Sequence, residues 1–203
     1  PADVDALMQC KYPGSELSVA ETMPEKVMSI GENLQIRRFA RFDKNTSVAY
    51  VHAGGKIGVL VTLETEGGID AGEVGKNIAM QIAALAPKYV SRDEVSADYI
   101  AHEKEILKAQ IMNDPKESQK PEKVINGMIE GRISKELKEI CLVDQVYVKA
   151  EDGKQTVAKY LEMVSKEVGT PVELKRFVRF ETGEGIEKKQ EDFAAEVAAQ
   201  MNA

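Results

Sequence analysis

A strand-like motif occurs twice in this chain, and it limits the folds open to it more than any other feature. Residues 36–42 read Ile-Arg-Arg-Phe-Ala-Arg-Phe, and residues 174–180 read Leu-Lys-Arg-Phe-Val-Arg-Phe. In both, a bulky apolar or aromatic residue is never far from a cation, which suits a half-buried strand with long basic stems across its face. Both copies sit beside glycine turns. They predict an α+β fold of two related subdomains with antiparallel sheets and packed helices. Chance similarity between two aromatic-rich strands is the alternative. A duplicated scaffold without clustered catalytic side chains points to a binding protein more than to an enzyme.

The first copy continues into a predicted three-stranded antiparallel meander over residues 34–64. Its strands are Leu34 to Phe42, Ser47 to His52 and Ile57 to Leu63. In the second, Val48, Tyr50 and His52 alternate with Ala49 and Val51, and Gly54-Gly55 marks the hairpin. Thr22-x-x-Glu25 resembles a capping box for a short helix ending at Gly31. Val74, Ile78, Ile82 and Leu85 make one stripe of a helix from Ala71 to Ala86, which Pro87 ends.

Residues 91–140 are highly charged with a helical period. Tyr99, Ile100, Ile106, Leu107 and Ile111 give one apolar face, and Ser91-x-x-Glu94 precedes it. After Pro121 comes a second stripe of Val124, Met128, Ile133, Leu137 and Ile140. Two such helices joined by a polar loop predict an inserted antiparallel helical hairpin with apolar surface left for a partner. Beyond it, a strand at Leu142–Val148, a helix at Gln155–Glu167 and the second motif copy at Pro171–Glu181 are expected. A last helix, Glu187 to Met201, carries Phe193, Val197 and Met201 on a narrow stripe. It either caps the core or docks on a partner.

Composition sets outer bounds. A formal net charge of −7 on 203 residues argues against nucleic acid as a primary partner, since phosphate binding needs an excess of Lys and Arg. No apolar run approaches the roughly 20 residues of a membrane span. Cys10 and Cys141 form no Cys-x-x-Cys pair, so a zinc site is not expected, and the unpaired thiols predict a reducing cytoplasm. Pro1 in place of an initiator Met predicts a chain cut from a longer one. His52-Ala-Gly-Gly-Lys56 lacks the spacing of a phosphate loop, and Gly183-Glu184-Gly185 lacks a third glycine, so no cofactor is expected. Asp98, Glu103 and Glu105 read as a solvated helix face. Arg37, Arg38, Arg41, Arg176 and Arg179 read as strand-flanking salt-bridge partners rather than an anion site.

Ile30-Gly-Glu-Asn-Leu-Gln-Ile-Arg-Arg38 is very similar to a motif of bacterial elongation factor Ts. The similarity runs on through Tyr50-Val-His-Ala-Gly-Gly-Lys-Ile-Gly-Val-Leu60, Ile78-Ala-Met-Gln-Ile-Ala-Ala84 and Met128-Ile-Glu-Gly-Arg132. It ends in Phe177-Val-Arg-Phe-Glu-Thr-Gly-Glu-Gly-Ile-Glu187 and Asp192-Phe-Ala-Ala-Glu-Val-Ala198. The resemblance implies a guanine nucleotide exchange factor, not an enzyme in its own right, acting on elongation factor Tu, with a homodimer formed through the helical hairpin. It implies four parts: the tail of a first core subdomain (1–42), a second core subdomain (43–90 and 142–181), a dimerisation hairpin (91–141) and a C-terminal helical module (182–203). By position, His52, Gly54, Gly55, Phe193, Ala194 and Val197 are implied partner contacts, and Val124, Met128, Ile133 and Leu137 dimer contacts. The small N-terminal helical domain and the Thr-Asp-Phe-Val segment of the family do not occur in these 203 residues. In the family that segment's Phe is implied to loosen Mg²⁺ beside the nucleotide.

Overall fold

The computed structural model describes residues 1–43 and 46–186. The chain forms two compact units, Pro1–Asp43 and Lys44–Ala203. The first holds α1 (Val4–Met8) and α2 (Val19–Ile30). The capping box starts α2 four residues before the expected place. Ser18 Oγ accepts the Glu21 N–H at 3.2 Å, and the Glu21 carboxylate accepts the Ser18 N–H at 2.8 Å. The Ser18 N–H foremost, and the Ser18 hydroxyl donating to the same carboxylate at 2.8 Å, hold the Glu21 carboxyl below its usual range. Pro24 therefore lies inside the helix, and Gly31 closes it in the left-handed conformation at φ 79°.

The larger unit carries one antiparallel sheet, in spatial order β1 (Thr46–His52), β2 (Ile57–Thr65) and β3 (Val172–Glu181). Two expectations fail here. Residues 32–43 form no strand, so only the second copy of the repeated motif is one. The third strand beside the β1–β2 hairpin is β3, brought back from far along the chain. Among the described residues there is thus one sheet, not two related ones. The alternation that suggested a strand at 34–42 is a surface pattern, and pairing depends on an available partner edge.

A register shift between Thr62 and Leu63 fits the sheet to its core. Val61 pairs with Phe177 and Leu63 with Leu174, and both partners pack on the core although they are three residues apart. An odd spacing puts two side chains on one face only if an extra residue is bulged out. Lys175 lies in the bulge, its ammonium reaching Glu64 at 2.9 Å and Glu173 at 2.5 Å.

Two helices, α3 (Gly72–Leu85) and α6 (Val157–Val168), share this core with the sheet. Ile78, Ile82, Val61, Leu63 and Val157 have no solvent exposure. Gly75 sets how closely α3 approaches. A Cβ there would lie 2.6 Å from Val48 Cγ2. Gly75→Ala is therefore expected to force α3 off the sheet at a cost of about 1–3 kcal/mol, despite alanine's better helix propensity. Urea denaturation checks it, and an unchanged or raised midpoint would show that Val48 simply turns aside.

α4 (Ala97–Asn113) and α5 (Glu122–Ile140) form a second core of Ile111, Ile125, Ile129, Ile133 and Leu137. Their cross-links step in opposite directions along the two helices: Tyr99 OH donates to Glu136 at 2.5 Å, and Lys104 meets Glu130 at 2.6 Å. That bond and partial burial push the Tyr99 phenol well above its usual range. The N-cap of α4 is Ser96, with Ser91 opening only a short 3₁₀ turn before it.

Leu142–Val148 is not the expected strand. Leu142–Asp144 is a 3₁₀ turn, and Val146 makes a single bridge to Thr156. Cys10 and Cys141 are both free. No described helix is long and apolar enough to cross a membrane.

Candidate functional site

The tip of the β1–β2 hairpin gathers three of the residues singled out in the sequence. Ala53, Gly54 and Gly55 turn the chain with φ of 52°, 66° and 99°. Glycine carries that conformation without the steric cost a Cβ brings. Val51 through Lys56 are all exposed. His52 ends β1 opposite Ile57, and Ile57 faces Glu181 on β3. Behind the tip the backbone is locked, since Thr182 N donates to Lys56 O at 2.9 Å.

Tyr50, two residues before His52 on the same strand face, packs against the first core. Its hydroxyl lies 3.0 Å from His52 Nδ1, and the two rings are 5.8 Å apart. In the same row as Tyr50, Arg179 meets the Glu181 carboxylate at 2.8 Å. Arg41 likewise faces Asp43 at 3.6 Å, so both arginines stand in the ion-pair role the sequence suggested. The tip offers recognition chemistry: an imidazole, an ammonium at Lys56 and the exposed aliphatic Val51.

The other expected site residues divide. Val124 is 45% exposed on the outside of α5, and Met128 is half-buried against the second core. Ile133 and Leu137 lie inside that core, facing α4. Phe193, Ala194 and Val197 lie outside the described residues.

The sequence reading missed Gln81. It is fully buried on the core face of α3, where Nε2 donates to Gln145 Oε1 at 3.1 Å and to Val146 O at 3.0 Å. Its Oε1 accepts the Val148 N–H at 2.7 Å. Gln145 in turn donates to Glu139 O near the end of α5 at 2.6 Å. Two amides, Gln81 and Gln145, thus tie α3, the 142–148 segment and α5 together. The available signal was a glutamine between Ile78 and Ile82 on an otherwise apolar stripe. Nearby, Tyr147 and Tyr160 stack at 4.2 Å, and burial, helped by a hydrogen bond to Tyr160, raises the Tyr147 phenol.

Residues 1–184 match the family model described as Elongation factor TS. The chain belongs to the elongation factor Ts family. It is 46% identical to an elongation factor Ts of Syntrophotalea carbinolica, over 98% of this chain and 65% of that relative. It is 50% identical to one from Clostridioides difficile, over 91% of this chain and 60% of the relative. A Clostridium novyi elongation factor Ts is 46% identical. The chain thus spans less than two thirds of the length of these family members.

Proposed function

We propose that this chain binds elongation factor Tu in the cytoplasm and promotes release of its bound GDP, as a guanine nucleotide exchange factor. The β1–β2 tip is one contact, and residues 193–197 are another. The observation that carries this reading is the tip itself. It exposes His52, Gly54 and Gly55 on a hairpin rooted in the core, so little ordering remains to be done on binding. The family match supports the choice of partner. Exchange of this kind needs no chemistry from the factor. It requires tighter binding to the nucleotide-free partner than to the nucleotide-bound one, and the same coupling then weakens the hold on nucleotide.

The 203 residues are expected to bind elongation factor Tu but to release GDP far more slowly than a full-length factor. The Thr-Asp-Phe-Val segment implied to act at the nucleotide is not among them. Titration with partner and stopped-flow release of a fluorescent GDP analogue measure the two halves. Failure to bind overturns the reading, and release at the full-length rate overturns the division of labour. Two copies are proposed to associate through the outer face of the α4–α5 pair, where Val124 is exposed. Val124→Asp should then shift sedimentation toward monomer without loss of helix content.

A further inference from the structure

We infer that Tyr50 is the positioning residue of the tip: its hydroxyl holds His52 in the Nε2–H tautomer, so that the hairpin presents one outward donor to a carbonyl or carboxylate oxygen of the partner. The inference rests on the reading that the tip contacts elongation factor Tu.

The Tyr50 hydroxyl and His52 Nδ1 stand 3.0 Å apart, within hydrogen-bond reach. Either atom can donate on distance alone, and chemistry decides the direction. A phenol O–H is a stronger donor than a neutral imidazole N–H, and the imidazole lone pair is a stronger acceptor than a phenol oxygen. The hydroxyl therefore donates to Nδ1, and the ring proton sits on Nε2. Which nitrogen carries the proton is set by the bond the other one makes.

Anchoring makes this more than a local contact. Tyr50 is packed on the first core and pairs with Val59, which is 4% exposed. His52 is exposed at the strand end. An exposed imidazole left alone samples several rotamers and both tautomers. Tied to a core-rooted phenol, it keeps one of each, and the ordering entropy is spent in folding rather than in binding. Lys56, across the turn, supplies charge without fixed direction, so the directional element of the tip is His52 Nε2–H.

The test separates the tautomer from the partner. Long-range ¹H–¹⁵N correlation at neutral pH, with His52→Gln to separate its signals from those of His102, should show an unprotonated Nδ1 and a protonated Nε2. Tyr50→Phe keeps the ring and the packing, and its melting temperature serves as the fold control. In that variant the two ¹⁵N shifts should move toward intermediate values as the tautomers mix. Nitrogen shifts unaltered by Tyr50→Phe, or an Nδ1–H tautomer in the parent, would overturn the inference whatever the partner does. On the binding side, Tyr50→Phe should weaken the complex with elongation factor Tu about 3- to 10-fold, and His52→Ala about tenfold. In the His52→Ala background the Tyr50→Phe loss should vanish. A Tyr50→Phe loss that persists there would show that the phenol acts on the partner directly, against the inference. Unchanged affinity in His52→Ala would overturn the outward-donor assignment together with the tip contact proposed above, while the nitrogen shifts still judge the Tyr50–His52 bond.

Discussion

Ile133→Asp is expected to unfold the α4–α5 pair while leaving the sheet in place. Ile133 is 6% exposed among Ile125, Ile129 and Leu137 on the face of α5 that meets α4. A carboxylate there is buried with apolar neighbours, which costs several kcal/mol, about 3–5 or more when nothing compensates it. The first core draws on α3, α6 and the sheet and shares no residue with this one. Circular dichroism should lose helix signal in an early thermal transition, and the amides of β2 should stay protected from exchange. The outcome also decides what the residue does. A variant that stays folded but becomes monomeric would place Ile133 at a subunit interface rather than inside the arm.

Gln81→Leu should be nearly as costly, at about 3 kcal/mol. Leucine fits the volume but leaves Gln145 Oε1, Val146 O and Val148 N without their partner. Each buried group so stranded costs about 1–3 kcal/mol, and water can reach the half-exposed valine segment, which limits the sum. The urea midpoint should fall with an unchanged slope. Exchange should quicken at Gln145–Val148 before it does at β2. If the variant is as stable as the parent, the amide network is replaceable by apolar packing.

Legibility followed the strength of the local pattern. The Ile78–Ile82 stripe gave α3 almost to the residue, and Gly54-Gly55 gave the β1–β2 hairpin. The α4 and α5 stripes also emerged, because a helix satisfies its own backbone and needs only one apolar face to declare itself. The segment 34–42 has the same alternation as β3 and yet is not a strand. A strand's backbone is satisfied by another segment, which its own residues cannot specify. The same reason hid β3 as the neighbour of β2. At the site, glycines and His52 were readable as a turn, but the Tyr50–His52 bond needed the strand to be real. Gln81 was invisible because its partners lie more than sixty positions away. On α5 the spacing found the right helix, and only the packing separated exposed Val124 from buried Ile133.

Where the chain departs into α4 and where it comes back from α5, it touches itself. Lys88 N and Tyr89 N both donate to Ile140 O, at 2.8 and 3.1 Å, and Leu142 N donates to Tyr89 O at 2.9 Å. The excursion is therefore a closed detour with its ends already clasped. Closing a flexible detour costs only about 0.6 kcal/mol more for each doubling of its length. The clasp makes the arm's length nearly independent of the fold that bears it, so insertions and deletions between Val90 and Cys141 are a cheap route to new reach. A splice of Val90 to Glu139 through a short glycine linker, which keeps the clasp and the Glu139 carbonyl that Gln145 uses, should leave the sheet, α3 and α6 intact.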